Sequence, residues 1–312
     1  MKIFNNSDKI LIVGGTGFIG RHLAEKCLSY TPNVTCLGIN NTIARHQLWE
    51  KIKVRQADIC NKDQLKAVLC NGQFNYVFNL GGYIDHTLFS KGGRKLIESH
   101  YIGLMNLLEC LDRKEVKGFV QIGSSDEYGN NIAPQKETMR EHPISPYSLA
   151  KVAASHFLQM LYNTEEFSGT VLRLFLVYGP GQNDQRFIPQ IIKGCLKNAE
   201  FKTSEGDQLR DLCYIDDVVN AMIYAAISPF SKGHIINVAS GVPVRIKDVI
   251  QKIIVLTGGG RPLWGAHPYR KGENMELYAD ISLAKAMLQW EPTTPLDRGL
   301  QKTIDYYKNL LI

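Results

Sequence analysis

Lys9-Ile10-Leu11-Ile12-Val13-Gly14-Gly15-Thr16-Gly17-Phe18-Ile19-Gly20 is the stretch that decides the fold. Four consecutive apolar residues read as a buried strand, a glycine turn follows at once, and Leu23, Cys27 and Leu28 then recur at helical spacing. Strand, glycine turn and helix open a dinucleotide-binding unit. In such a unit Gly14 permits the tight turn, Gly17 lets backbone approach a pyrophosphate, and Gly20 brings the helix close to the sheet. Thr16, Phe18 and Ile19 complete the loop, whose helix N-terminus turns unpaired N–H groups toward phosphates. The spacing is G-x-x-G-x-x-G, and a glycine triple alone is weak evidence; its place directly after a first strand is what gives it weight.

Working outward, Val34-Thr35-Cys36-Leu37-Gly38 reads as a second strand. Its end is where an acidic residue would select NAD through the ribose 2′-hydroxyl. The chain has Gly38-Ile39-Asn40-Asn41 there, which leaves Asn40 as the contact and Arg45 as a candidate for a 2′-phosphate or a solvated side chain. NAD is favoured and NADP stays open. A short strand over 53–59 ends in Asp58-Ile59, where the carboxylate either meets the adenine amino group or caps the helix over 62–69. Tyr76–Asn79 is a fourth strand running into Leu80-Gly81-Gly82, glycines that let backbone pass beside a cofactor. A long helix spans 95–111 and a fifth strand begins at Gly118. Strands alternating with helices imply an α/β fold, a Rossmann-type doubly wound parallel sheet.

The fifth strand ends in Gly123-Ser124-Ser125-Asp126-Glu127-Tyr128-Gly129, at the sheet edge where ligands of open α/β sheets gather. Pro146-Tyr147-Ser148-Leu149-Ala150-Lys151 heads an apolar helix through Leu161, so Tyr147 and Lys151 share a face one turn apart. A free tyrosine, with a pKa of about 10, stays protonated at neutral pH, and a nearby lysine cation, helped by the oxidised nicotinamide, would lower that value. The phenolate can then take a proton from a sugar hydroxyl held by Ser124 while hydride leaves the same carbon.

Composition sets the limits. The 312 residues suffice for one large or two small domains; 44% hydrophobic and 21% charged residues are ordinary globular values. A net charge of +6 is spread along the chain without a Lys/Arg stripe, which argues against nucleic acid. Seven cysteines form no C-x-x-C pair and read as reduced, cytoplasmic thiols. No run of membrane-spanning length appears, and no spacing points to a metal.

In this order the motifs make the chain resemble an extended short-chain dehydrogenase/reductase of the NAD-dependent epimerase/dehydratase family, whose members act on nucleotide-diphosphate sugars. Beyond the glycine turn, Ser124 and Tyr147-x-x-x-Lys151, the resemblance rests on four further blocks. They are Arg173-Leu174-Phe175-Leu176-Val177-Tyr178-Gly179-Pro180, Arg210-Asp211-Leu212-Cys213-Tyr214, Asn237-Val238-Ala239-Ser240-Gly241, and Arg270-Lys271-Gly272-Glu273. It implies a cofactor domain over 1–175 and a substrate lobe mainly over 176–312, with segments returning to the larger core. It also implies Arg210 and Arg270 as diphosphate clamps, Glu273 near the nucleotide ribose, Arg186 reaching the substrate, and a homodimer through the helices over 95–111 and 147–161. The alternative for Arg210 is a surface ion pair with Asp216 or Asp217.

The family's 4,6-dehydratases carry an acid and a base just before a Tyr-Gly. Counted back from Tyr128-Gly129, Ser125 takes the acid position and Asp126 the base position, while Glu127 falls one place out of register. Hydride transfer at C4 by a 4-dehydrogenase, 4-epimerase or 4-ketoreductase is therefore preferred to a 4,6-dehydratase using Asp126 and Glu127, and to a non-catalytic cofactor-binding regulator. Other departures are Leu176 and His100 where asparagine is usual, and Asn79-Leu80-Gly81-Gly82 in place of His-x-Ala-Ala. His86 is an extra acid/base or substrate-binding candidate, or a structural loop histidine. Surface-polysaccharide sugars, with a GDP-sugar weakly favoured, are the implied substrates.

Overall fold

A computed structural model describes residues 3–39, 47–70, 72–269 and 272–311. The opening stretch forms strand β1 (Ile10–Val13) and helix α1 (Phe18–Leu28), and all four strand residues are buried. Burial on both faces is what a central strand of a helix-covered parallel sheet requires. Alternate side chains serve two cores. Ile10 and Ile12 pack with Leu23 of α1 and with Val218 and Met222 of the helix Ile215–Ile227. Leu11 and Val13 pack with Leu65, Leu104, Leu107 and Leu158 on the opposite face. Each such side chain contributes about 1.5–3 kcal/mol on leaving water.

In chain order the remaining strands are β2 (Val34–Gly38), β3 (Lys53–Gln56), β4 (Tyr76–Asn79), β5 (Gly118–Ser124), β6 (Gly169–Leu174), β7 (Leu176–Tyr178), β8 (Glu200–Lys202), β9 (Leu209–Tyr214), β10 (Ile235–Val238), β11 (Pro243–Arg245), β12 (Arg261–Leu263) and β13 (Glu276–Leu277). Seven form one parallel sheet in the order β10-β6-β5-β4-β1-β2-β3. The order reverses between β1 and β4, and the crevice beyond their carboxyl ends is where such folds take a dinucleotide. In the second half of the chain β9 pairs with β7, β11 and β13, and β8 with β12.

After α1 come α2 (Lys62–Leu69), α3 (Arg94–Ile97), α4 (Gly103–Cys110) and α5 (Pro146–Glu165). The single helix expected over 95–111 is interrupted by a π-helical turn, Glu98–Ile102, which carries His100 inward. Wide turns of this kind recur at functional sites. Arg21 and His22 of α1 bond the carbonyls of Gly181 and Pro180 at 3.0 and 2.9 Å, joining the first helix to the loop after β7. Among the described residues no helix is long and apolar enough to cross a membrane.

Candidate active site

The glycine turn is dictated by close approach. Gly14 has φ +74°, and a Cβ there would lie 2.8 Å from the carbonyl oxygen of Leu80. A Cβ at Gly20 would lie 2.3 Å from the Gly14 carbonyl, so α1 can pack on the turn only without one. Gly15, outside the expected triple, is equally confined, since a Cβ there would lie 2.4 Å from the Cys36 sulfur. Gly17 is the N-cap of α1, exposed and with no side-chain cap. The first N–H groups of the helix thus face outward beside the half-buried Thr16, Phe18 and Ile19, a cradle that suits a pyrophosphate.

Leu80, Gly81 and Gly82 stand across the switch point, with the Leu80 N–H bonded to the Val13 carbonyl at 3.0 Å. Ile59 is buried below. Asp58 does not cap α2: its Oδ1 accepts from the Cys60 N–H, and Asn61 is the cap. Asn61 accepts one residue before the helix, where capping geometry needs it, and Asp58 lies too early. Asn40 and Arg45 fall outside the described residues.

Ser145 caps α5 in a reciprocal capping box with Ser148, and Pro146 occupies the first turn. That start places Tyr147 and Lys151 inward, 3% and 4% exposed, with the Lys151 Nζ 5.7 Å from the Tyr147 ring centre. Ser124, at the end of β5, hydrogen-bonds the phenol in a way that favours its ionised form. Burial pushes the Tyr147 phenol up, assisted by Asp126 and Glu127 and opposed by Ser124 and Arg186. Lys151 instead donates to the Ile122 carbonyl at 2.7 Å, and burial lowers it to about 8 against the pull of Glu127 and Asp126. Two buried groups each resist charge when low polarity surrounds both.

His100 is a site residue that pattern reading did not select. Its Nε2 lies 2.8 Å from the Tyr83 carbonyl, its ring stands edge-on 5.0 Å from Tyr147, and its Nδ1 is buried with no hydrogen-bond partner. Burial, then the Lys151 charge, lowers it to about 3, so the imidazole is neutral.

The two carboxylates after Ser125 part company. Glu127 is fully buried and accepts from the Ser124 N–H (2.9 Å), Ser155 (2.9 Å) and Arg173 (2.9 Å). Arg173 also reaches Glu141 at 2.5 Å and covers the Tyr128 ring, whose hydroxyl bonds Asn237. Ser124 and Glu127 form a capping box around the turn Ser125–Tyr128, a pattern visible in Ser-x-x-Glu. Glu127 is therefore withdrawn from the water-loss role the dehydratase alternative gives it. Ser125, in the acid position, is buried as well. Asp126 alone faces outward, its Oδ2 3.7 Å from the His86 Nε2.

His86 lines a cavity of about 560 Å³ together with Ile84, Asp85, Thr87 and Arg186, and its ring is 6.0 Å from Tyr147. Arg186 is thus brought to the Tyr147 side of the molecule. Arg210, on β9, is paired with Glu273, while Asp216 meets Lys302 and Asp217 bonds Thr293 and Thr294. The surface pairing considered for Arg210 is not the one formed. Arg270 lies outside the described residues.

Residues 10–239 match the NAD dependent epimerase/dehydratase family. The UDP-glucuronate 4-epimerase of Thermodesulfobacterium geofontis is 29% identical over 96% of this chain and 95% of that one. Among solved structures, the UDP-glucose 4-epimerase of Thermotoga maritima with UDP-glucose has a TM-score of 0.89 at 26% identity, covering 97% of this chain and 100% of the other. The UDP-glucuronic acid 4-epimerase of Bacillus cereus in complex with UDP-glucuronic acid and NAD has a TM-score of 0.82 at 26% identity, covering 97% and 99%. All three are named for uridine nucleotides, so the guanine preference expected from the sequence has no counterpart in them. With its glycine cradle, its 3-2-1-4-5-6 sheet order and its Ser124/Tyr147/Lys151 cluster, the chain belongs to the NAD-dependent epimerase/dehydratase family.

Proposed function

We propose that this protein transfers hydride at C4 of a nucleotide-diphosphate sugar, as a 4-epimerase, 4-dehydrogenase or 4-ketoreductase, with a uridine diphosphate sugar as the substrate class. The observation that carries the reading is the convergence of Ser124, Tyr147 and Lys151 beside the glycines at the β1/β4 switch point. Gly14, Thr16, Gly17, Phe18, Ile19 and Gly20 hold the pyrophosphate of NAD, and Leu80, Gly81 and Gly82 flank its nicotinamide half. Asp58 and Ile59 stand on the adenosine side. When bound, NAD supplies the hydride acceptor and a positive ring beside the phenol.

The chain's own residues do the proton work. Tyr147 takes the proton of the C4 hydroxyl, and Ser124 holds that oxygen in line. Lys151, fixed by the Ile122 carbonyl and charged below about pH 8, supplies the cation that the buried phenolate needs. Arg186 faces the substrate cavity, and Arg210 with Glu273 belongs to the lobe that takes the nucleotide. On this reading residues 1–175 form the cofactor domain and 176–312 mainly the substrate lobe, with Ile235–Val238 rejoining the larger sheet. The cysteines, none of them in a disulfide, suit the cytoplasm, and the exposed Ile102, Leu149 and Met160 suit pairing of two copies through the helices that carry them. Synthesis of surface polysaccharide is the setting.

Purified protein incubated with UDP-glucose, UDP-glucuronate, dTDP-glucose and GDP-mannose, with NAD, tests this. Inversion at C4 without net redox change marks an epimerase, and a net rise at 340 nm marks a dehydrogenase. Absence of any change at C4, together with no NAD(H) in the denatured protein, would overturn the reading.

A further inference from the structure

We propose that His100 is the positioning residue that sets the wall of the sugar cavity, tying the loop after β4 to the ring of Tyr147. This rests on the reading above, in which that cavity takes the sugar. Of the five residues lining it, Ile84, Asp85, His86 and Thr87 come from one loop, and the fifth is Arg186. Residues 83–88 form neither helix nor strand, so no ladder of backbone bonds fixes them. Whatever anchors this loop therefore sets the shape that a sugar meets.

His100 is that anchor. Its Nε2 lies 2.8 Å from the carbonyl of Tyr83, the residue just before the wall and 17 positions earlier in the chain. A carbonyl only accepts, so Nε2 carries the hydrogen, and in the neutral ring Nδ1 carries none. The residue is 3% exposed, and a bond so far from water is strong for its length. The same ring is a spacer. Its centre stands 6.4 Å from the Tyr83 ring and 5.0 Å from the Tyr147 ring. One imidazole thus sets how far the start of the wall lies from the phenol.

The other ties of the loop are weaker or local. Asp85 accepts the N–H and the hydroxyl of Thr87, at 2.9 and 2.8 Å, and those bonds travel with the loop. His86 meets Asp126 at 3.7 Å with 48% of its side chain exposed, where water screens the pair. His100 accordingly acts on the sugar end of the substrate through Tyr83, without touching it. The nucleotide end, at Arg210 and Glu273, does not depend on it.

The test compares the parent protein with His100→Ala and with His100→Gln, whose amide can donate to the same carbonyl. Calorimetry in the presence of NAD follows UDP, UDP-glucose and UDP-glucuronate. In His100→Ala the better-bound sugar should weaken about 10-fold while UDP changes by less than about 2-fold, and His100→Gln should recover most of the loss. A merely structural role would move UDP and the sugars together. Without ligand, chymotrypsin cleavage after Tyr83 and Phe89, mapped by mass spectrometry, should quicken in His100→Ala relative to cleavage elsewhere. Circular dichroism verifies folding, and His100→Asn, too short to span the bond, replaces the alanine variant should that not fold. Equal weakening of UDP and the sugars, unchanged cleavage in the loop, or no recovery in His100→Gln overturns the inference. If neither sugar binds the parent more tightly than UDP, the sugar reading of the cavity falls, and the loop cleavage still decides whether His100 holds the wall.

Discussion

Asp126 and Glu127 are neighbours on one short turn, yet they belong to different worlds. Glu127 is walled in, with Arg173, Ser155 and the Ser124 backbone taking its oxygens. Asp126 faces outward, across from His86. The contrast follows from the 3-10 turn: consecutive residues leave it on different sides, and Ser124 fixes the turn by capping it. A buried ion pair adds little net stability over an apolar pair of the same size, but losing one member strands a charge. The interior side thus sets a unique geometry for the strand tip, while the outward side meets His86 of the cavity wall. Two adjacent carboxylates in a sequence are accordingly not evidence of two catalytic carboxylates.

The comparison can be broken most directly on its interior side. Glu127→Ala should destabilise the protein by about 3–5 kcal/mol in urea unfolding, since Arg173 is then buried beside Glu141 alone. A loss under about 1 kcal/mol would show that the interior pair is not needed. Tyr147→Phe is the matching cut at the cavity: turnover should fall about 10²–10⁴-fold with folding unchanged, and near-normal kcat would detach Tyr147 from the proton step.

A third measurement sharpens the contrast through pH. His100 is held near 3 in the folded protein by burial, below the 6.5 of an ordinary histidine. The unfolded chain therefore binds that proton first, and stability falls as pH drops below about 6.5, by up to about 1.4 kcal/mol per unit. His100→Asn should flatten the slope between pH 6.5 and 5; an unchanged slope would mean the imidazole is not the group responsible. The smallest effect belongs to Asp126→Asn, whose unfolding free energy should stay within about 0.5 kcal/mol of the parent, as for a partly exposed side chain outside the core. A larger drop would erase the distinction between the two sides.

Sequence reading reached the parts of the molecule written in local patterns. Ile10 to Gly20 declares strand, turn and helix within a dozen residues, and Tyr147 with Lys151 needs only helical spacing to be placed together. What stayed hidden depends on partners far along the chain. The acceptor for Arg173 lies 46 residues earlier, and Arg210 finds Glu273 63 residues later. Nothing in the apolar periodicity of 95–111 marks the π turn, because a single wide turn disturbs a helical pattern by only one residue. The Ser124-x-x-Glu127 cap was readable, but the carboxylate pair after Ser125 invited a catalytic interpretation of Glu127. Lys151 shows the limit from the other direction: its spacing from Tyr147 is right, while its bond to the Ile122 carbonyl comes from the sheet.

The π turn has one more consequence, for the loop that faces it. Gly82 has φ +106°, and a methyl group there would lie 2.2 Å from the His100 ring carbon. A residue without a side chain thus faces a large ring across the site. Any side chain at position 82 would have to displace the imidazole that stands edge-on to Tyr147.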